Sequence, residues 1–348
     1  MTLTRLVHTL HLTPIRFSLV SVSLVCFGLG IGMNVVFAEP LKVVSYNVEN
    51  LFHPKHDTVC IDSTTFIEKD DYEWTPEGER RWSYTRYYRK VENIARVLTN
   101  IGEWDGVDIV GLQEVENAMV VKRLCYTLRR GEYDFVHYES PDARGIDVAL
   151  IYKKGRVDTI ATRAIKVKGE RVNGERLITR DILYVCAQID KRDTVHFFVC
   201  HLPSQRGGKA ESEWKRRVAK EVLEGAIDSV YLAFRDPKII VMGDFNREPK
   251  EDIRGVKNKM IVESQNGTEP VERPNGTHKY QGRWTCLDHF YTSPSLDSLS
   301  RAEIYNAAWI QEPDEKYLDL KPKRTYNGFR YQKDGFSDHL PIVLTVSL

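Results

Sequence analysis

Five short stretches of this 348-residue chain set carboxylates, carboxamides and histidines beside residues that allow tight turns. In chain order they are Ser45-Tyr46-Asn47-Val48-Glu49-Asn50, Gln113-Glu114, His201-Leu202-Pro203-Ser204, Gly243-Asp244-Phe245-Asn246 and Ser337-Asp338-His339; Asp288 and His289 interrupt a further, otherwise apolar run. These are the residue types of acid–base and metal-assisted chemistry. Taken singly each has a plain explanation. An Asn after a strand is usually a turn former, a lone acid is usually a solvated surface charge, and His201 alone would be a structural histidine. The repetition of the pattern is what asks for a common site.

The elements that would carry these residues are short apolar runs rich in Val, Ile, Tyr and Phe, broken by polar turns, which is the signature of strands. The clearest lie at 41–46, 108–113, 147–152, 182–189, 195–201, 238–242, 287–292 and 341–346. Each polar stretch stands at the end of such a run, where a strand delivers side chains to the rim of a sheet. Two segments have a helical period instead. Tyr84, Tyr87, Tyr88, Val91, Ile94, Ala95, Leu98 and Ile101 form one stripe, and Trp214, Val218, Val222, Ala226 and Val230 form another. Many strands, few amphipathic helices and no strict alternation predict an α/β protein of four layers, two packed sheets flanked by helices. No linker or repeat divides residues 40–348, which read as one domain. Residues 53–79 and 247–283 lack periodicity and are expected to rim a substrate cleft.

The six stretches, in this order, resemble the endonuclease/exonuclease/phosphatase superfamily of metal-dependent phosphoesterases. The Gly243-Asp244-Phe245-Asn246 and Ser337-Asp338-His339-Leu340-Pro341 motifs carry most of the resemblance, which spans the chain from Ser45 to Ile342. It implies the same four-layer fold, and it implies roles. Asn47, Glu49, Glu114 and Asp338 would form the shell of a Mg²⁺ or Mn²⁺ ion, which hard oxygen ligands suit. Asp244 would orient or deprotonate the attacking water, Asn246 and His201 would hold phosphate oxygens, and His339 would bind phosphate or handle the proton. Asp288 would fix a histidine tautomer. The reaction would be one-step hydrolysis with no covalent intermediate.

Three further residues are expected to touch substrate. Asp147 precedes a strand, and Arg180 and Arg206 could clamp phosphate; Lys215-Arg216-Arg217 reads as a wetted helix face. The substrate class is a phosphate ester, with exported nuclease action on DNA or RNA as the leading expectation. A phosphatase or lipid phosphodiesterase would use the same site, and a binding module that lost activity is disfavoured because every position keeps a competent side chain. Tyr72, Trp74, Arg80, Arg81, Trp82, Lys279, Tyr280, Arg283 and Trp284 could stack bases or hold phosphates.

Composition sets limits. Hydrophobic content of 42% with 28% charged residues excludes a disordered or fibrous chain. Residues 1–38 carry only Arg5 and Arg16 as charged side chains and are nearly all apolar from Phe17 to Phe37, with Val36 and Ala38 at the positions of a small-residue cleavage site. They read as an export signal, giving a periplasmic or secreted protein, with a membrane anchor as the alternative if the segment is retained. Without those two arginines, 48 basic residues face 49 acidic ones, a net charge of −1, so no global field would attract nucleic acid. Nothing asks for an obligate protein partner. Five cysteines follow residue 38 without metal-site spacing, and a hairpin turning at 190–193 would set Cys186 opposite Phe197, apart from Cys200.

Overall fold

The computed structural model describes residues 39–60, 66–68, 70–171, 174–204, 208–248, 253–259 and 276–348. The export segment and Arg206 lie outside the described residues. Residues Pro40–Leu348 form one compact unit. Its principal strands, in chain order, are β1 (Leu41–Leu51), β2 (Ile109–Val115), β3 (Tyr133–His137), β4 (Asp147–Lys153), β5 (Val157–Ile165), β6 (Ile182–Ile189), β7 (Asp193–His201), β8 (Lys238–Asp244), β9 (Lys257–Asn258), β10 (Asp288–Thr292), β11 (Ser300–Ile304) and β12 (Ile342–Val346). The long helices are α1 (Tyr84–Gly102), α2 (Ala118–Leu128) and α3 (Lys209–Ala233).

These strands form two six-stranded sheets, ordered β11-β12-β1-β2-β4-β3 and β9-β10-β8-β7-β6-β5. Strand alternation sorts the apolar side chains into three cores. Leu41, Val43, Leu150, Val185, Phe197, Val199, Ile240, Met242, Phe290 and Leu344 meet between the sheets. On the first sheet's outer face Val44, Tyr46, Val110 and Leu112 pack with Tyr87, Ile94 and Leu98 of α1 and Val120 and Leu124 of α2. On the second sheet's outer face Phe198, Cys200, Ile239 and Val241 pack with Leu223, Ile227 and Val230 of α3. The result is the four-layer sandwich that the sequence predicts.

β1, β2 and β8 end beyond the apolar runs because pairing continues into the polar strand ends, β6 has the expected bounds, and β10 and β12 each begin one residue later than expected. α2, β3, β5 and β11 carry mixed or exposed residues and are not legible as apolar runs. α2 begins where the Asn117 side chain accepts hydrogen bonds from the amides of Met119 and Val120. Residues 53–79 are not structureless: they hold a short hairpin of Thr58–Cys60 with Phe66–Glu68 and a 3₁₀ turn at Tyr72–Trp74. The β6–β7 hairpin pairs Cys186 with His196, one residue from the expected Phe197, and Cys186 and Cys200 are free thiols. Among the described residues no helix is long and apolar enough to cross a membrane.

Candidate active site

The row of side chains that fills the space between the sheets continues, at one end, into polar residues. Leu41 and Val43 lead to Asn47, Val195, Phe197 and Val199 lead to His201, Ile240 and Met242 lead to Asp244, and Phe290 is preceded by Asp288. Register aligns them. Asp244 pairs with His201 on one side and with Asp288 on the other, while Asn47 pairs with Gln113 in the first sheet. Asn47, His201, Asp244, Asp288 and His339 are all buried.

Local backbone conformation aims the remaining groups. Glu114 is the extra residue of a bulge between Gln113 and Val115, with φ of 63°, and Glu49, Asn50 and Asn246 also have positive φ. Such conformations cost energy and gather where a side chain must be re-aimed. Gly243 has φ of 144°, and a Cβ there would lie 1.9 Å from the Cys200 carbonyl oxygen. Only glycine fits between that neighbouring strand and Asp244.

Asp244 is the hub. Its Oδ2 accepts from Asn47 Nδ2 at 3.1 Å, joining the two sheets, and its Oδ1 accepts from the Asn246 amide at 2.7 Å. His201 Nε2 and His339 Nε2 lie 3.7 and 3.8 Å from Asp244 Oδ2. Burial pushes the Asp244 carboxyl up to about 7, against the pull of His339, with Asp288 pushing the same way and the two amide donors opposing. That value suits a general base near neutrality. His339 Nδ1 meets Asp288 Oδ2 at 2.8 Å. Burial opposes charge on the His339 ring, yet Asp288, with Asp244 and Asp338, holds its pKa well above the ordinary histidine value. His201 goes the other way: burial, then Arg180, Arg144 and His339, hold it well below, so it is neutral.

Beside this cluster stand the acidic residues. Glu49 Oε1 accepts from Arg324 Nε at 3.2 Å and Oε2 from the Thr325 amide at 2.7 Å; Arg324 Nη2 reaches Asp338 Oδ2 at 2.7 Å. Beneath them the fully buried Lys90 donates to Thr325 Oγ1 and to the Phe336 carbonyl, with Glu49 Oε2 3.9 Å away. Glu114 Oε2 accepts from the Asn50 amide at 2.9 Å, and its Oε1 lies 3.9 Å from His201 Nε2. Both Glu49 oxygens are therefore engaged, whereas Glu114 and Asp338 each keep an oxygen that takes no hydrogen bond among the described residues. Asn47 Oδ1 accepts from the Glu49 amide at 3.1 Å and retains a second lone pair. Glu114, Asp338 and Asn47 fit a hard divalent ion, and Glu49 holds the Arg324-Thr325 segment. Two His/carboxylate groups here are also close enough for a metal: Asp244, Asp288 and His339, and His278, Asp338 and His339.

The other expected contacts fall differently. Arg180 is buried and spent on the protein: Nη1 meets Asp142 Oδ2 at 2.8 Å, Nε donates to the His201 carbonyl at 3.1 Å and Nη2 to the Leu202 carbonyl at 3.2 Å. It positions His201 from behind. Asp147 is buried and accepts from the Ser140 amide at 3.0 Å and from the Ser140 hydroxyl. Trp74 and Trp82 are core residues, not stacking platforms, while Tyr72 and Tyr280 are exposed. Arg216 is buried as well, donating to the Pro203 carbonyl at 3.1 Å, because α3 packs this face against the 201–204 turn. Of the three, Arg217 is exposed as expected and Lys215 is half-buried.

Arg324, Lys90, His278 and Thr277 were not singled out from the sequence. His278 bridges to the His339 backbone, and Thr277 Oγ1 accepts from the Leu287 and Asp288 amides at 3.1 and 3.3 Å. Nothing in the local pattern marks any of the four.

The family model described as the endonuclease/exonuclease/phosphatase family matches residues 42–347. The chain belongs to that family, whose members are hydrolytic phosphoesterases and generally depend on a divalent metal. Among solved structures, a Bacteroides thetaiotaomicron protein of the same family is 14% identical with a TM-score of 0.53, covering 89% of this chain and 100% of that one. Truncated Caenorhabditis elegans TDP2 is 16% identical with a TM-score of 0.52, covering 89% and 98%. A Bacteroides thetaiotaomicron mannosyl-6-phosphatase is 15% identical with a TM-score of 0.53, covering 87% and 98%. No match was found among curated protein sequences.

Proposed function

We propose that the protein is an exported, metal-dependent phosphodiester hydrolase that cuts DNA or RNA. The observation that carries the chemistry is the cross-sheet cluster in which Asp244 faces Asn47, His201 and His339, with Asp288 behind His339. Asp244 takes the proton of the attacking water, its carboxylate held in place by the Asn47 and Asn246 donors. His339, kept charged by Asp288, donates to a phosphate oxygen as negative charge builds there. His201 adds a neutral donor, and Asn246, whose Nδ2 is tied to the Leu202 carbonyl at 2.9 Å and whose backbone amide donates to Asp244, keeps the base oriented. A divalent ion held by Glu114, Asp338 and Asn47 would draw charge from the phosphoryl group.

Nucleic acid as substrate is supported by two hairpins that start at the site. His278–Tyr280 with Arg283–Thr285 begins beside His339 and carries exposed Tyr280 and Arg283; Tyr326–Asn327 with Arg330–Tyr331 follows Arg324 and carries exposed Phe329, with Arg80 5.8 Å from its ring. Exposed rings beside cations suit stacked bases and their phosphates. A phosphatase or lipid phosphodiesterase is the second reading. It is favoured by the charge balance of −1 outside residues 1–38, and a mannosyl-6-phosphatase shares the fold.

The purified protein with Mg²⁺, assayed against plasmid DNA, RNA, sphingomyelin, inositol phosphates and sugar phosphates, decides between them. Cleavage of nucleic acid is expected; turnover of phosphomonoesters alone would overturn the nuclease assignment, and no turnover of any ester would overturn both. Export is tested separately by N-terminal sequencing, which should find a start near Glu39 in the extracytoplasmic fraction.

A further inference from the structure

We infer that His137, Glu139 and Asp147 form a second divalent-cation site, sharing no residue with the catalytic cluster and suited to Zn²⁺. One ligand atom from each lies within 4.8 Å of the others. The side chains of His137 and Asp147 are 2% and 3% exposed, and His137 Nε2 and Asp147 Oδ2 stand 3.3 Å apart, yet neither atom has a hydrogen-bond partner. Two buried polar atoms that stand at ion-pair distance but make no hydrogen bond, when burial of a group without one is costly, converge on a common point. Donors each about 2.0–2.1 Å from a tetrahedral Zn²⁺ stand roughly 3.3 Å apart.

The donor set agrees: one imidazole with two carboxylates suits a borderline ion, and the two negative charges balance its own. Asp147 is already oriented for the task, since its other oxygen is held by the Ser140 amide and hydroxyl. Tyr138, Ser140, Asp147 and Asp181 line a small cavity next to these residues, which leaves room for a water to complete the coordination. The position gives the ion a purpose. His137 ends β3 and Asp147 begins β4, so a shared ion would close the intervening loop at its base. That loop carries Asp142, which grips Arg180, which in turn holds the His201 and Leu202 carbonyls. The ion would brace the catalytic histidine from a distance, as a structural site does.

The test counts zinc. The full chain, stripped with chelator and loaded with Zn²⁺ alone, is desalted and its metal content measured by plasma mass spectrometry for the wild type, His137→Gln, Glu139→Gln and the catalytic-site variant Glu114→Gln. The expected result is that His137→Gln and Glu139→Gln each hold one zinc fewer than wild type, that Glu114→Gln keeps this one, and that zinc-soaked crystals show an anomalous peak between His137 Nε2 and Asp147 Oδ2. Glu139 is exposed, so its variant carries the test if His137→Gln does not fold. Equal zinc content in wild type and Glu139→Gln, or no anomalous peak at that position, overturns the inference.

Discussion

Asp288 Oδ2 lies 2.8 Å from His339 Nδ1, and this one contact sets which nitrogen of the ring is left facing Asp244. With Nδ1–H donated to the carboxylate, Nε2 is turned toward Asp244, 3.8 Å away. Asp288→Asn removes the charge that keeps the ring protonated. Turnover should fall roughly a hundredfold or more, the usual contribution of a positioned proton donor. The double variant Asp288→Asn/His339→Ala should be no slower than His339→Ala alone, because groups acting as a unit are not additive. Steady-state kinetics of the three variants check this, and additive losses would break the pairing.

Asp244→Asn and His339→Ala should each abolish turnover by several orders of magnitude, since base and donor contribute about 10²–10⁴ apiece. Their melting temperatures should stay near the wild type's, as measured by calorimetry. Near-normal activity in either would show that its role is wrongly assigned.

Chelation should silence the enzyme, and Mg²⁺ or Mn²⁺ should restore it, because a site of two carboxylates, one carboxamide and waters exchanges its ion readily. Glu114→Gln keeps the shape and removes the charge, so the metal concentration for half-maximal activity should rise. An unchanged metal titration would remove Glu114 from the ligand set.

Arg180→Ala should destabilise by about 3–5 kcal/mol, since it strands the Asp142 carboxylate and frees two carbonyls around His201. Chemical denaturation measures the loss. Surviving folded enzyme should show reduced turnover with little change in KM, because Arg180 holds the protein and not the substrate; a change confined to KM would point instead to phosphate binding.

Stability should fall as the solution is acidified below the ordinary histidine range. Burial holds His196 below its usual pKa, with its Nδ1 2.9 Å from the Tyr184 hydroxyl. A depressed native pKa contributes stability that is present above the unfolded value near 6.5 and is lost as pH drops through the native one. The drop in melting temperature from pH 7.5 to pH 5 should therefore be shallower in His196→Phe. An identical drop would exclude His196 as a contributor.

Much of this protein was determined by local sequence. Apolar runs closed by polar residues marked strand ends, so Asn47, His201 and Asp244 could be placed at sheet rims, and the family resemblance gathered them into one site; which side chains face the gap between the sheets came from the strand pairing. Gly243 and the turn-forming Asn246 wrote the tight bend that follows β8, and the α1 stripe marked its buried face apart from the exposed Tyr84 and Tyr88; the α3 stripe marked only part of the buried face, which also takes Ala219, Leu223 and Ile227. What needed the tertiary structure were partnerships between residues far apart in the chain. Arg324 reaches Glu49, and Lys90 lies under Thr325, because packing of the hairpins onto α1 brings them together; nothing in a local period encodes that. The same holds for Arg180, which reads as a phosphate clamp in sequence, and for Arg216, which reads as solvent-facing; both are spent on acceptors of the protein itself. A long cation is buried only where the fold supplies a carboxylate and carbonyls to receive every donor, and those acceptors come from strands and turns that meet only after the sheets have closed.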